Sequence, residues 1–461
     1  MRYLSTRGGM QGLSFEDTLI AGLAEDGGLL VPDSLPQVRD QLPQWRTLRY
    51  QELSHEILQS FTNQAIPDDT LRELIDRAYR TFTHPEVTPV RTLGDLYLLE
   101  LFHGPTFAFK DVALQLLGHL FEHVLKKRQQ PLRILGATSG DTGSAAIHGM
   151  RGHEGVSVFM LHPKGRVSPV QERQMTTVLD ANIDNVAIEG SFDDAQRIVK
   201  ELFSDLEFKT RHHLGAVNSI NWARILAQIV YYFYAWAQVS RDTDEAVNFV
   251  VPSGNFGNVL AGYYAQQMGL PIRRLVVATN ENDILHRFFS KGEYHATGVC
   301  QTLSPSMDIQ ISSNFERYLF DLCGCSSEQL KRWMRDFQET GRLTIDGELL
   351  KTAQSSFASA RVDEAGTLAA IRETYKEHGY LLDPHTAVGV GATKQVELEG
   401  PVICLACAHP AKFGSAVLRA AGTAPDMPPS LAVLENLETR CTVLPAKTDA
   451  VREHITQALN G

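Results

Sequence analysis

The sequence lacks a long hydrophobic run, a cysteine framework and an apolar leader. Nowhere do about 18 apolar residues follow one another, so no stretch is long enough to cross a membrane as a helix. Six cysteines among 461 residues are too few for a disulfide-stapled fold and suit a reducing compartment. The first residues, MRYLSTRGGM, are polar and do not form the apolar core of a secretory signal. We therefore expect a cytoplasmic protein that does not bind membranes.

Basic charge is also in the minority. The chain has 43 Lys and Arg residues against 54 Asp and Glu residues, a formal net charge of −11. No basic run could neutralise a row of phosphates, so nucleic acid is not an expected partner. Hydrophobic residues make up 43% of the chain and charged residues 21%, which is ordinary for a globular protein and excludes disorder as its main character.

The pattern along the chain changes near residue 95. Residues 1–95 carry helix-period patterns such as SFEDTLIAGLAEDG, which predict a helical extension. Beyond it, short apolar runs end in Gly, Ser, Thr or Asn clusters and lead into amphipathic stretches, a pattern that predicts α/β units around parallel sheets. We expect one α/β domain over 96–240 and a second over 241–461, with a polar helical insertion at about 325–380. The stretch NSINWARILAQIVYYFYAWAQ is apolar nearly all round, which predicts a helix buried between layers.

A glycine-containing loop follows the predicted strand FVVPS. It consists of Gly254, Asn255, Phe256, Gly257 and Asn258, and a predicted helix begins directly after it. Backbone N–H groups at a helix N-terminus favour binding of a phosphate, and small residues let the backbone approach the anion. A tight turn capped by asparagine is the alternative interpretation.

A second loop, Ser139, Gly140, Asp141 and Thr142, follows the predicted strand RILGA. Its hydroxyl and amide groups suit a carboxylate, whereas the charge of Asp141 disfavours a bare phosphate; simple helix capping is the alternative. Neither loop has the spacing of a nucleotide-binding P-loop. The segment AVGVGATKQ lacks the third glycine of a dinucleotide-binding fingerprint.

Lys110 lies between Phe109 and the start of an apolar predicted helix. Burial lowers the pKa of an amine, and a neutral amine is a nucleophile toward aldehydes. The pattern therefore suits a lysine that bonds covalently to a carbonyl compound. A surface lysine paired with Asp111 or with another carboxylate is the alternative.

Eight motifs occur in one order along the chain, and together they resemble the threonine synthase family, in its longer form with a helical N-terminal extension. They are ELFHGPTFAFKD, ATSGDTGSAA, NSIN-x2-R, VPSGNFGN, ATN-x-ND, SMDI, DPHTAVGV and AHPAKF. The resemblance spans nearly the whole chain. It implies an α/β enzyme of the pyridoxal-phosphate-dependent fold type II, which is similar to tryptophan synthase β and contains two parallel-sheet domains.

The resemblance also implies pyridoxal 5′-phosphate as the cofactor, bonded to Lys110, with the loop Gly254 to Asn258 holding its phosphate. Asp141 would lie near the cofactor's 3′-oxygen, where relatives in the wider fold carry asparagine. Cys407 would lie near the pyridine nitrogen, where threonine is common in the family. A CxxC metal or redox site at Cys404 and Cys407 is the alternative for that pair, but no second CxxC is present, and no metal is expected.

The substrate would be held by two groups of residues. Ser139, Gly140 and Thr142 would bind its α-carboxylate. Lys164 and Arg166 are the candidates for its phosphate, and a solvated charged loop is the alternative for them. The residues that could assist are His103, Thr106 and Arg224, whereas Asp283, His385, His409 and Lys412 lie in family motifs without an assigned role.

The implied reaction is that of a carbon–oxygen lyase of threonine biosynthesis, which converts O-phospho-L-homoserine and water to L-threonine and phosphate. A phospho-lyase or dehydratase that releases an α-keto acid would share every motif, because the two differ only in whether water adds at Cβ. A non-catalytic binding protein is a third hypothesis, and the presence of Lys110 beside both loops argues against it. We expect a monomer or a homodimer acting on a small molecule.

Overall fold

The computed structural model describes residues 1–138 and 140–460. The strands are β1 Tyr3–Ser5, β2 Leu30–Pro32, β3 Val90–Leu93, β4 Leu96–Glu100, β5 Leu132–Ala137, β6 Val156–Pro163, β7 Ile183–Glu189, β8 Leu214–Gly215, β9 Val247–Pro252, β10 Ile272–Thr279, β11 Glu293–His295, β12 Arg342–Thr344, β13 Phe357–Arg361, β14 Val402–Ala406 and β15 Thr442–Pro445.

The helices surround these strands. They are α1 Phe15–Ala21, α2 Leu42–Trp45, α3 Tyr50–Thr62, α4 Asp68–Tyr79, α5 Lys110–Arg128, α6 Asp141–Met150, α7 Pro169–Thr176, α8 Phe192–Ser204, α9 Leu206–Arg211, α10 Trp222–Val239, α11 Gly257–Gln267, α12 Ile284–Lys291, α13 Phe315–Leu322, α14 Ser327–Thr340, α15 Gly347–Ser356, α16 Glu364–His378, α17 Pro384–Thr393, α18 Gly414–Ala421, α19 Pro429–Ala432 and α20 Thr448–Asn460. None of the helices in the described part of the chain combines the length and the apolar character needed to span a lipid bilayer.

Two sheets carry the architecture. One has six strands in the order β13-β10-β9-β14-β4-β3, and the other has five in the order β15-β7-β6-β5-β8. Every neighbouring pair is parallel except β3 with β4, which is antiparallel. All six residues of β9 are buried, as expected of a parallel strand whose sheet is covered by helices on both faces. The expected parallel α/β fold is confirmed.

Sheet membership does not follow the expected division at residue 240. Strand β4 lies in the six-stranded sheet beside β14, and β15 returns to the five-stranded sheet beside β7. Parallel neighbours are joined by long crossovers, so sequence order alone does not reveal which strands pair. Both sheets are therefore assembled from distant parts of the chain.

The helical extension and the segment at about 325–380 also differ from expectation. The extension contains α1 to α4 but ends in β3, which pairs with β4. The later segment is not helical throughout, since β13 forms the edge of the six-stranded sheet in parallel with β10. Its sequence FASAR has no β-branched residue, and its strand signal is correspondingly weak.

Helix α10 is the predicted buried helix. Every residue from Trp222 to Trp236 is buried, and the helix packs against α3, α5 and α11. The prediction of a helix between layers is therefore confirmed. Its position matters because α5 and α11 both begin next to the ends of parallel strands, the edge where ligand sites form in such sheets.

Candidate active site

A cavity lies where loops from both sheets converge. It is lined by residues that follow β4, β5, β9 and β14, together with residues of α10, α17 and a short 3-10 turn at Pro305–Met307. The lining residues are Phe109, Lys110, Asp141, Thr142, Ser219, Arg224, Gln228, Pro252, Ser253, Gly254, Asn255, Phe256, Gly257, Asn258, Ser306, Met307, His385, Cys407 and Ala408. The Gly254 to Asn258 loop, Lys110, Asp141 and Cys407 are thus brought together as the sequence predicted.

Lys110 is the first residue of α5, and only 8% of it is exposed. Its Nζ donates a hydrogen bond to Ser306 Oγ at 3.4 Å and lies 5.0 Å from the centre of the Phe109 ring. Burial lowers the pKa of the Lys110 amine; the carboxylate of Asp141 opposes this effect, and the cations of Lys412 and Arg224 reinforce it. The site therefore favours the neutral, nucleophilic amine more than water does.

The loop before Lys110 is anchored from both sides. The Phe109 N–H donates to Cys407 O at 2.8 Å, and the His409 N–H donates to Phe107 O at 3.0 Å. Phe107 has a φ of +59°, a left-handed conformation that these two bonds hold in place. The chain segments after β4 and β14 are thereby fixed to each other.

Asp141 and Lys412 form a buried ion pair beside Lys110. Lys412 Nζ lies 2.7 Å from Asp141 Oδ1, and Lys110 Nζ lies 4.0 Å from Asp141 Oδ2. Gln171 Nε2 also donates to Asp141 Oδ1, at 2.8 Å. Burial would raise the pKa of the Asp141 carboxyl, but the ammonium groups of Lys412 and Lys110 outweigh it and hold that pKa well below its usual range. Asp141 is therefore an ionised acceptor.

The Gly254 to Asn258 loop runs from the end of β9 into the N-terminus of α11. Phe256 is buried with a φ of +62°, a conformation that turns the backbone into the helix. A Cβ atom on Gly254 would lie 3.0 Å from the Met307 Cα, so a side chain there would need the facing turn to move. The Asn258 Oδ1 accepts hydrogen bonds from the Tyr231 and Tyr232 hydroxyls of α10. Helix α10 thus anchors the loop through Asn258, and the loop residues line the cavity.

Three buried side-chain groups that can donate in this cavity have no partner among the described residues. They are Arg224 Nη1, Ser253 Oγ and Asn258 Nδ2. Arg224 is 5% exposed, and burial lowers the pKa of its guanidinium to about 10, so it is charged at neutral pH. A buried unpaired donor is costly, and a bound anion would satisfy it.

The residues present fit pyridoxal phosphate. The buried amine of Lys110 could bond to its aldehyde, and the Gly254 to Asn258 backbone with the unpaired Arg224 donor could hold its phosphate. Cys407 also lines the cavity, and burial raises the pKa of its thiol well above the usual range, so it would present a neutral group. Cys404 points elsewhere, because its Sγ lies 2.6 Å from where a Cβ on Gly389 would be.

Several predicted site residues lie elsewhere. Lys164 and Arg166 are exposed, and Lys164 pairs with Glu189 at 3.1 Å, so the structure does not bring the two candidates for the substrate phosphate to this cavity. His103 bonds to Glu100 at 2.8 Å and lies in a separate groove with His409. Their positions follow from strand ends and turns that sequence spacing does not determine.

The loop after β5 is only partly described. Thr142 lines the cavity and also a wider cleft that contains Thr138, Lys200 and Lys209. Gly140 lies beside Gln171, whose Oε1 is 2.4 Å from where a Cβ on Gly140 would be. Ser139 lies outside the described residues.

Thr106 supports the site without lining it. Its N–H and hydroxyl both donate to Asp111, at 2.7 Å each, and its carbonyl oxygen accepts from Lys412 and from Gln174. Burial raises the pKa of Asp111 to about 6 in spite of the bonds from Thr106.

The roles of Ser306, Lys412 and His385 do not follow from the sequence, and nothing in the sequence indicates that Gln228 lines the cavity. The motifs SMDI, DPHTAVGV and AHPAKF contain the first three, so their location was signalled but their roles were not. Asp283 lies away from the cavity, where its Oδ1 accepts from Arg287 at 2.8 Å.

Three sequence-family models match the chain. One described as threonine synthase N terminus matches residues 2–79, one described as pyridoxal-phosphate dependent enzyme matches 82–353, and one described as threonine synthase, C-terminal, matches 386–455. The last two together cover all the residues that line the cavity except His385. The family expected from the eight motifs is therefore confirmed.

Characterised relatives are similar over the same length. A threonine synthase of Pseudomonas aeruginosa is 49% identical over 462 residues, covering 99% of this chain and 98% of the relative. A crystal structure of a threonine synthase with bound pyridoxal phosphate, from Brucella melitensis, is 45% identical and superposes with a TM-score of 0.98 over 100% of both chains. A yeast threonine synthase structure is 44% identical with a TM-score of 0.95, covering 100% of this chain and 99% of the other.

Proposed function

The chain belongs to the threonine synthase family of pyridoxal-phosphate-dependent enzymes, and on this basis we propose how its residues divide the work of the reaction. The reaction is the conversion of O-phospho-L-homoserine and water to L-threonine and phosphate. The observation that carries the proposal is the buried Lys110 amine in one cavity with the Gly254 to Asn258 loop. Neither feature alone would specify the chemistry, but a reactive amine and an anion cradle together match the cofactor.

Lys110 would serve as anchor, base and acid. When bound, pyridoxal phosphate supplies an electron sink that stabilises negative charge at the substrate's α-carbon. Once released from its covalent bond, the Lys110 amine is placed to remove a proton from the substrate and to return one later. Its lowered pKa supports this role, because only the neutral amine accepts a proton.

The anionic groups would be held by three sets of donors. Backbone N–H groups of the Gly254 to Asn258 loop would bind the cofactor's phosphate at the N-terminus of α11. Ser139, Gly140 and Thr142 would bind the substrate's α-carboxylate at the N-terminus of α6. Among the described residues, two basic side chains of Lys or Arg line the cavity, Lys110 and Arg224. Arg224 would contribute to the binding of a phosphate there.

Asp141 and Lys412 would act together at the cofactor's 3′-oxygen. A carboxylate accepts hydrogen bonds and repels an oxyanion, so Asp141 alone would disfavour an ionised 3′-oxygen. The Lys412 ammonium at 2.7 Å offsets that charge. The pair therefore replaces the neutral asparagine that relatives in the wider fold carry.

The decisive experiment measures three products at once. Purified protein is incubated with pyridoxal phosphate and O-phospho-L-homoserine, and threonine, phosphate and α-ketobutyrate are quantified. Threonine equal to phosphate supports the proposal. Release of phosphate with α-ketobutyrate and no threonine would identify a phospho-lyase. If no phosphate is released, O-phospho-L-homoserine is not the substrate. The control is Lys110→Ala, which should lose about 10²-fold or more in turnover, as expected when a general acid–base is removed.

We also propose a cytoplasmic location, a monomeric or homodimeric state and no nucleic-acid partner. All six cysteines are free thiols, which suits a reducing compartment, and the net charge of −11 disfavours polyanions. Size-exclusion chromatography with light scattering determines the subunit number, and fractionation of the native cells determines the compartment. A higher oligomer or an extracytoplasmic location would contradict this part of the proposal.

A further inference from the structure

A buried hydrogen-bond chain reaches Lys110 from α17. Asp383 is the N-cap of that helix, and its Oδ1 bonds to His385 Nδ1 at 2.9 Å. Asp383 is 1% exposed and His385 is 3% exposed. Because the Ser306 N–H donates to His385 Nε2, this nitrogen is the acceptor, and the proton of the neutral ring lies on Nδ1, facing Asp383.

His385 uses this Nε2 to hold the backbone of Ser306. The Ser306 N–H donates to His385 Nε2 at 3.2 Å, and Ser306 Oγ accepts from Lys110 Nζ at 3.4 Å. The buried carboxylate of Asp383 is thus connected to the reactive amine through two residues. None of the roles assigned above uses this chain.

The turn that carries Ser306 is fixed on its other side as well. Asp308, two residues further on, accepts hydrogen bonds from Asn280, Asn282 and Thr302 at 2.7 to 3.0 Å. These bonds determine where the turn lies, whereas His385 fixes the orientation of the Ser306 peptide. Ser306 therefore reaches Lys110 from a rigid support.

The second oxygen of Asp383 acts on another lining segment of the cavity, the backbone at Cys407. Asp383 Oδ2 accepts from the Thr386 hydroxyl, and Thr386 Oγ1 accepts from the Cys407 N–H at 2.9 Å. One buried carboxylate therefore holds both the residue beside Lys110 and the backbone at Cys407. A change at Asp383 would disturb both of these contacts at once.

We propose that Ser306 is a catalytic residue that orients the Lys110 amine, and that His385 and Asp383 are positioning residues that hold Ser306 in place. The Ser306 hydroxyl accepts one N–H of Lys110, which restricts rotation of the amine and directs its lone pair into the cavity. The inference rests on the proposed role of Lys110 as the reacting amine. It adds a residue whose hydroxyl touches that amine and the pair that supports it.

The test uses Ser306→Ala, His385→Ala, the double variant and His385→Gln. In the holoenzyme, kcat and KM are measured with O-phospho-L-homoserine. In the apoprotein, the rate at which Lys110 bonds to added pyridoxal phosphate is followed by absorbance. Each alanine variant should lower kcat and that rate about tenfold, the size expected for one lost hydrogen bond to a reacting group, with KM changed less than about threefold.

Two comparisons separate positioning from general damage. The double variant should be no worse than the worse single variant, because both remove the same contact. His385→Gln should retain most of the rate, since its amide can donate to Asp383 while its carbonyl accepts from Ser306. The control His162→Gln changes a fully buried histidine of β6, whose Nε2 faces Cys441 Sγ at 3.7 Å, and should alter neither rate.

The outcomes distinguish this inference from the proposed function. Additive losses in the double variant, or wild-type rates for Ser306→Ala, would overturn the inference even if threonine is produced. If the wild-type protein produces no threonine but both alanine variants still react more slowly with pyridoxal phosphate at Lys110, the proposed function is overturned and the inference stands. If His385→Ala does not fold, as judged by circular dichroism, Ser306→Ala and His385→Gln still decide the question, because Ser306→Ala removes a single oxygen.

Discussion

At the residue scale, the Asp141–Lys412 ion pair predicts an asymmetric mutational response. Lys412→Met should lower the free energy of unfolding of the apoprotein by about 3–5 kcal/mol, because it leaves a buried carboxylate without its closest cation. The double variant Lys412→Met/Asp141→Asn should recover most of that loss. Urea unfolding at pH 7 measures both.

The same pair has a defined pH dependence. The pKa of Asp141 is depressed in the folded state, so its stabilising contribution is present above its ordinary pKa and is lost as the pH falls through the folded-state pKa. The stability of wild type relative to the double variant should therefore fall below about pH 4. A difference that is constant from pH 7 to pH 3 would contradict the ion-pair interpretation.

Asp321 on α13 predicts a pH dependence of the opposite sign. Burial raises the pKa of its carboxyl from 3.8 to about 7, and its hydrogen-bonded neighbour is the Cys325 thiol at 3.9 Å. The folded state then holds a proton that the unfolded state releases, so stability falls as the pH rises from about 4 to about 7. Asp321→Asn should be more stable than wild type at pH 8 by roughly 1–3 kcal/mol, and no more stable at pH 3. Thermal unfolding at both pH values checks this, and a gain at pH 3 would count against burial as the cause.

The placement of site residues at the cavity was predictable from sequence where it depends on local context. The Gly254 to Asn258 loop and Lys110 could be predicted to lie at the cavity because a strand, a loop and the start of a helix follow one another within a few residues of the sequence. Lys412 was assigned no role because its partners, Asp141 and Thr106, are far away in the sequence, and its contact with Thr106 spans 306 residues. The location of Lys164 and Arg166 away from the cavity was not predictable for the same reason, since spacing does not show which way a loop turns.

At the scale of elements, the contact between α5 and α6 positions the reactive groups, since these helices begin at Lys110 and Asp141. A Cβ on Gly118 would lie 1.9 Å from Gly149 O, so any side chain there must push the two helices apart. Gly118→Ala should therefore cost about 1–3 kcal/mol of stability and also reduce turnover by separating Lys110 from Asp141. Chemical unfolding and steady-state kinetics measure the two effects.

The matched control is Gly347→Ala. A Cβ at Gly347, the first residue of α15, would have no atom within 4 Å. Removing this glycine should leave turnover unchanged and raise stability by up to ~1 kcal/mol, because alanine loses less conformational freedom on folding. Equal losses in both variants would show that the contact with Gly149 is not the cause.

Element types were predictable mainly where a pattern is long. The buried helix α10 was predictable from its apolar surface, whereas β13 lies within the expected helical insertion because its five residues, FASAR, include no β-branched side chain and carry little strand signal. Strand β3 lies within the expected helical extension, since its sequence VRTL is only four residues long and does not alternate apolar with polar residues. In both cases pairing with a neighbouring strand determines the element, and pairing is a property of the sheet.

At the scale of the whole molecule, the cavity connects the two sheets. Thr142 follows the five-stranded sheet, whereas Gly257 and Cys407 follow strands of the six-stranded sheet. A ligand that contacts all of them should stabilise both sheets together. At a free ligand concentration of 100 times Kd, binding adds about 2.7 kcal/mol to the free energy of unfolding. Pyridoxal phosphate should therefore raise the unfolding midpoint and slow amide exchange in both α6 and α11.

Mass spectrometry of exchanged peptides provides the measurement, and Lys110→Ala provides the comparison. Without its covalent anchor, this variant should show a smaller rise in the midpoint at the same cofactor concentration. Protection confined to α11 alone would contradict a site shared between the sheets.

The late position of β14 in the sequence has a consequence for how the protein is made. This strand lies between β9 and β4, so the middle of the six-stranded sheet stays open until residues near 402 have left the ribosome. Sheets assembled from such distant segments fold slowly and expose strand edges on the way. A nascent chain should therefore rely on chaperones and acquire its cofactor only after translation has ended.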